Sequence, residues 1–127
     1  MSTLKVTTIQ DTSGGNASTS AQIAQGRAKA WVNFNGQGSQ SIRDSFNVSS
    51  LTDHAVGRTT ITMTNALPST NYVVVASSGH SPTDALRNVG LFNNLTTTTF
   101  TIFTMYFPDT SSFGRDDQLV CVAVFGD

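Results

Sequence analysis

The chain has 127 residues, enough for one compact domain with an appendage. Only 12% of them are charged, about half the usual share, and the net charge is −1. The 7 basic residues are scattered, with no basic patch among aromatics, which excludes electrostatic nucleic-acid binding. No stretch reaches the apolar length that spans a bilayer, which excludes insertion as a membrane helix.

Ser and Thr supply roughly a quarter of the chain, a bias toward strands joined by tight turns. Residues 1–28 read as an arm. After Met1, its first 20 residues have Leu4, Val6 and Ile9 as their only sizeable apolar side chains, and a polar linker runs from Asp11 to Ser20. Such a segment builds no core of its own. Leu4 and Val6 alternate as in a strand, which predicts pairing with another chain; a frayed terminus is the plainer alternative. The first residues show no apolar run behind a basic segment, so assembly in a cytosol is expected. Residues 20–30 predict a short helix around Ile23, capped by Ser20 and weakened by Gly26.

The domain from 29 to 127 is read as strands. They are expected at Ala30–Phe34, Gln40–Phe46, Arg58–Met63, Tyr72–Ser77, Val89–Asn93, Thr97–Phe107 and Leu119–Phe125, with a hairpin signal at Asn35-Gly36. About seven short strands between turn clusters predict an all-β fold, a small antiparallel β-sandwich. Three strands are apolar on both faces. Val73 and Val75 alternate with Tyr72, Val74 and Ala76; Phe103, Met105 and Phe107 with Phe100, Ile102 and Tyr106; Leu119, Cys121 and Phe125 with Val120, Val122 and Val124. A sheet on one core needs one apolar face. The second face therefore needs a cover, either another copy of the chain or the chain's own N-terminal segment, and a homo-oligomer is expected.

Signals for chemistry are missing. His54 and His80 have no Cys or carboxylate at ligand spacing, no phosphate-binding glycine loop occurs, and no nucleophile elbow is present. All 8 acidic residues are Asp, and Asp116-Asp117 sits in an expected loop. No cofactor and no catalysis are expected. Cys121, in an apolar run, is read as a buried, inert thiol. Two loops are candidates for recognition. One carries His80, Asp84 and Arg87; the other carries Phe113, Arg115, Asp116 and Asp117. An exposed ring beside planar polar groups suits a sugar, whereas the plainer reading tucks Phe113 into the core and leaves the charges solvated.

The run Leu4-Lys-Val-Thr-Thr-Ile-Gln-Asp-Thr-Ser-Gly-Gly-Asn16, followed by Ala24-Gln-Gly-Arg-Ala-Lys-Ala-Trp-Val-Asn-Phe-Asn-Gly36, resembles tail-fibre and virion structural proteins of tailed bacteriophages of marine bacteria, notably cyanophages. Ser41-Ile-Arg-Asp-Ser-Phe-Asn-Val-Ser-Ser-Leu-Thr-Asp53 and Leu67-Pro-Ser-Thr-Asn-Tyr72 fit the same pattern. The resemblance implies an arm and a tip: Leu4, Val6, Ile9 and Ile23 dock on other virion proteins or oligomerise, and the β-domain projects. It implies a homotrimer by analogy, located in the virion after assembly in the host cytoplasm; on such a β-domain the two polar loops suggest contact with host surface polysaccharide. The chain lacks a shaft repeat, which leaves a short fibre or fibre tip beside a capsid or tail decoration protein.

Overall fold

The computed structural model describes residues 1–80, 87–92, 94–106 and 113–126. In the arm, β1 (Thr8–Ile9) pairs with β2 (Ser18–Thr19), and α1 (Ser20–Gly26) follows. The body consists of β3 (Ala30–Asn35), β4 (Ser41–Phe46), β5 (Val48–Ala55), β6 (Arg58–Met63), β7 (Tyr72–Gly79), β8 (Arg87–Leu91), β9 (Thr99–Tyr106), β10 (Phe113–Gly114) and β11 (Leu119–Gly126). It is the expected all-β sandwich. One sheet has the order β4-β3-β11-β7; the other runs β10-β9-β6-β5, with β8 on β9. Strands β6 and β8 both pair with Phe103 of β9, so they flank it on opposite sides. All these pairings are antiparallel.

The period of two in the sequence places the core. Ala30, Val32 and Phe34 of β3, and Val120, Val122 and Val124 of β11, point inward from the first sheet. They meet Ile61 and Met63 of β6 and Phe100 and Ile102 of β9. Tyr72 closes one end, its ring edge-on to Phe100 at 6.2 Å and its hydroxyl donating to the carbonyls of Thr96 (2.9 Å) and Thr99 (3.1 Å). Burial against these carbonyls and the core raises the Tyr72 pKa above its ordinary value.

Where the chain passes from β4 in one sheet to β5 in the other, Asn47 adopts a left-handed backbone (φ 55°). Its side-chain amide donates to the carbonyls of Lys29 (3.0 Å) and Asn65 (3.3 Å), and its side-chain oxygen accepts from the Asn65 N–H (2.8 Å). Asn tolerates this conformation where β-branched residues do not, and here it also ties the corner to two other loops.

Several expectations are corrected. Strand β5 goes unforeseen because its two larger apolar residues, Val48 and Leu51, are three apart; a register shift between Val48 and Ser50 returns both toward the core. The helix cap is Thr19, not Ser20. Its hydroxyl accepts from the Gln22 N–H, and the Gln22 side chain accepts from the Thr19 N–H, a capping box. The helix stops at Gly26, short of residue 30, because the Lys29 N–H already donates to Val124 O (2.7 Å) in the sheet. Gln40 lies outside β4, and the expected strand ends Asn93 and Phe107 lie outside the described residues. The β3–β4 connection takes its positive φ at Gly38 (+60°), not at Gly36.

Candidate functional site

At one end of the sandwich, loops distant in sequence converge on Asp117. The Gly36 N–H donates to Asp117 O at 2.9 Å, and a Cβ on Gly36 would lie 2.9 Å from the same oxygen, so only glycine lets this loop sit there. Asn35 Oδ1 accepts from the Gln37 N–H (3.2 Å), and the Gln37 side-chain amide reaches His80 Nδ1 at 2.9 Å. The Asp117 side chain is fully buried. Its Oδ1 is 3.2 Å from Arg87 Nε and 4.0 Å from His80 Nδ1. The Arg87 guanidinium, itself nearly buried, lies over the Tyr106 ring at 4.7 Å, with Arg115 at 5.9 Å from the same ring.

The structure thus gathers His80, Arg87 and Asp117 but turns them inward, which corrects the reading of Asp117 and Arg87 as receptor-facing or solvated. A carboxylate with no exposed surface cannot take a sugar hydroxyl from solvent. Beside a buried guanidinium it acts as a strut whose single removal is costly. Asp116 is also used internally: its Oδ1 accepts from the Gly57 N–H at 2.7 Å, pinning the β5–β6 turn. Arg115 is exposed, and its N–H donates to Thr104 O. Phe113 pairs through its backbone with Tyr106; its side chain, like Asp84, lies outside the described residues. Nothing local in the sequence announces Gln37 or Gly36 as partners of this cluster. Among the described residues no group of three or more His, Cys or Asp could hold a metal ion, and no helix is long and apolar enough to cross a membrane.

The second candidate is the outer face of the β4-β3-β11-β7 sheet. Register places Phe46, Trp31, Ala123 and Val75 in one row across four strands, with Val73 and Phe125 paired beside it. Phe46 is 54% exposed, Val73 61% and Val75 56%. Between Trp31 and Val75 the small side chains of Ala123 and Cys121 leave a trough of about 400 Å³. Cys121 is therefore half-buried on the outer face, not inside the core. Asp44, opposite Asn33, brings a single carboxylate to the neighbouring row.

The expected second apolar face is uncovered on β7 and β11 and closed on β9. There Phe103 packs edge-on against Phe92 at 5.8 Å, with Arg58 over Phe92 at 4.7 Å. Thr101 is buried and bonds Thr60 (2.6 Å) and Asn94 (2.8 Å). On the described part of β9 the chain itself thus covers Thr101 and packs against Phe103. The arm meets the other sheet at β11 and beside Phe46 but leaves Val73 and Val75 more than half exposed. No residue before Ala30 is buried, and Leu4, Val6, Ile9 and Ile23 all remain exposed, Leu4 at 83%. The arm's polar linker is ordered by Asp11, which accepts from the Ser13 hydroxyl (2.7 Å) and the Gly15 N–H (2.7 Å). These bonds, the Ser13 hydroxyl foremost, lower the Asp11 pKa.

Fold and surface together define a small antiparallel β-sandwich with an apolar sheet face that the described residues leave exposed, and an exposed arm. No family model, curated protein or solved structure matches the chain.

Proposed function

We propose that this chain is a non-enzymatic structural protein of a tailed-phage particle, a short tail-fibre or fibre-tip module that assembles as a homotrimer and contacts the host surface. The observation that carries the assembly part is the apolar row Phe46–Trp31–Ala123–Val75, in which the described residues leave Phe46 and Val75 more than half exposed. Covering its half-exposed side chains stabilises an assembly by about 1 kcal/mol each, a strong drive for a chain with little charge to oppose it. The phage assignment rests on the resemblance of residues 4–75. Host surface polysaccharide is the proposed receptor, bound weakly at each of three sites and strengthened by multivalency.

The test has two arms. Light scattering on the purified chain is expected to give the mass of three copies, and Val75→Asp to give one. Antibody against the chain is expected to label tail tips of phage particles and to block adsorption. A monomeric wild-type chain would sink the assembly reading, and particles free of label would sink the virion reading.

A second reading has its own observation, the arm without a single buried residue. In it the chain decorates a capsid or tail and docks through Leu4, Val6, Ile9 and Ile23. Label along the capsid or tail tube, lost when Leu4 and Val6 become Asp, would favour it over the fibre tip.

A further inference from the structure

Among the described residues, two exposed apolar surfaces stand out. One is the trough floored by Ala123 and Cys121 and walled by Trp31 and Val75. The other is the strand-spaced edge of the arm, Leu4 and Val6. We propose that they belong together between copies: the arm of one chain lies in the outer-face trough of a neighbour, which in turn passes its own arm onward. This rests on the reading of the sheet face as an assembly surface and names its occupant.

Three observations argue for it. The floor is made of small side chains between large ones, a shape that receives alternating Leu and Val side chains and not a flat second sheet. The arm has the required extent, since a stable interface takes about 20–30 residues a side and residues 1–28 stand free of the body's core. The exit is placed for exchange as well. The Lys29 N–H ties the arm's base to Val124 O, and α1 touches β11, so the arm leaves the body beside the trough.

The experiment uses full-length chains. Wild-type chain, whose single cysteine is Cys121 at the trough floor, is mixed with a Val6→Cys, Cys121→Ser chain under mild oxidation. Docking holds the two thiols at high effective concentration, so the mixed disulfide is expected about 100-fold faster than with a Ser13→Cys, Cys121→Ser control. Equal rates would overturn the proposal. So would a Val6→Cys chain retaining Cys121 that closes only within itself, because its own arm would then be the cover.

The Leu4→Asp, Val6→Asp variant alters only exposed residues and leaves the core intact. It is expected to run at the mass of one chain, with Trp31 emission moved to the red. If it keeps the assembled mass while Val75→Asp loses it, faces pack on faces; arm exchange is then overturned and the assembly reading stands. If the wild type is itself monomeric with red-shifted emission, both fall together.

Discussion

Gly57 sits where the β5–β6 turn meets β9 and β10, and replacing it by Ala tests whether this crossing is as tight as it looks. Its φ is +76°, a region in which an L side chain costs about 1–2 kcal/mol. A Cβ there would overlap Thr104 O and lie 2.7 Å from Arg115 N, and these two atoms bond each other at 3.0 Å. The methyl therefore enters a backbone hydrogen bond. Moving the turn away also breaks Gly57 O from the Thr104 N–H (2.8 Å) and the Gly57 N–H from Asp116 Oδ1 (2.7 Å). Two neutral bonds at about 1 kcal/mol each and one to a charged group at about 1.5–3 kcal/mol, added to the conformational cost, bring the expected loss to about 4.5–7 kcal/mol. Gly38→Ala is the internal control, because Gly38 has φ +60° but nothing within 4 Å of its Cβ position. It should lose only the conformational share, about 1 kcal/mol. Urea unfolding at one fixed protein concentration, followed by the single Trp31, measures both. A Gly57→Ala loss within about 1 kcal/mol of the Gly38→Ala loss would refute the argument from close approach.

Asp117→Asn is expected to destabilise by about 3 kcal/mol, equally at low and high salt, because the carboxylate and Arg87 face each other away from solvent. Chemical denaturation at the two salt levels checks it, and a salt-sensitive loss below about 1 kcal/mol would mark the pair as a solvated one. Tyr72 has its pKa raised by burial, so the folded state keeps its proton where the unfolded state has lost it. Its contribution is whole below the ordinary value of 10.0 and is lost as pH rises through the folded value. Stability should therefore fall above about pH 10, and Tyr72→Phe should flatten that fall in denaturation series while lowering stability at neutral pH. At the Asn47 corner, Asn47→Gly keeps the backbone but loses the side-chain bonds, at about 2 kcal/mol, whereas Asn47→Ala loses about 1 kcal/mol more. Calorimetry that ranks Ala above Gly would contradict the role of the left-handed backbone.

The strands that could be read in the sequence are those whose inward side chains alternate without interruption. In β3 the run Ala30, Val32, Phe34, and in β11 the run Val120, Val122, Val124, carry the period of two that a half-buried strand imposes. The apolar outer sheet face was legible for the same reason, since Val73 and Val75 break the expected polar alternation. Strand β5 was not, because its register shifts hide the period and all its exposed positions but Ala55 are Ser, Thr, Asp or His. The polar end was not legible either. Gly36 with Asp117, Gln37 with His80, and Arg87 with Asp117 meet only through the sandwich topology, and no spacing rule links them. The loops that looked like recognition surfaces contained the right residue types, but burial claims Asp117 and a bond from the Gly57 N–H claims Asp116 for holding turns in place.

The position of β11 between β3 and β7 also bears on how the chain is made. The body begins with β3, yet β3 finds its central partner only when Leu119–Gly126 is available, and β7 waits for the same segment. On a ribosome the first sheet thus exists for most of synthesis as two separated pieces, each with an open edge. Contacts between residues so far apart in sequence close slowly, and open apolar edges meet other chains readily while they wait. Neighbouring nascent copies on one message are the nearest such chains, so the order of synthesis itself favours meeting a like partner before the sandwich shuts.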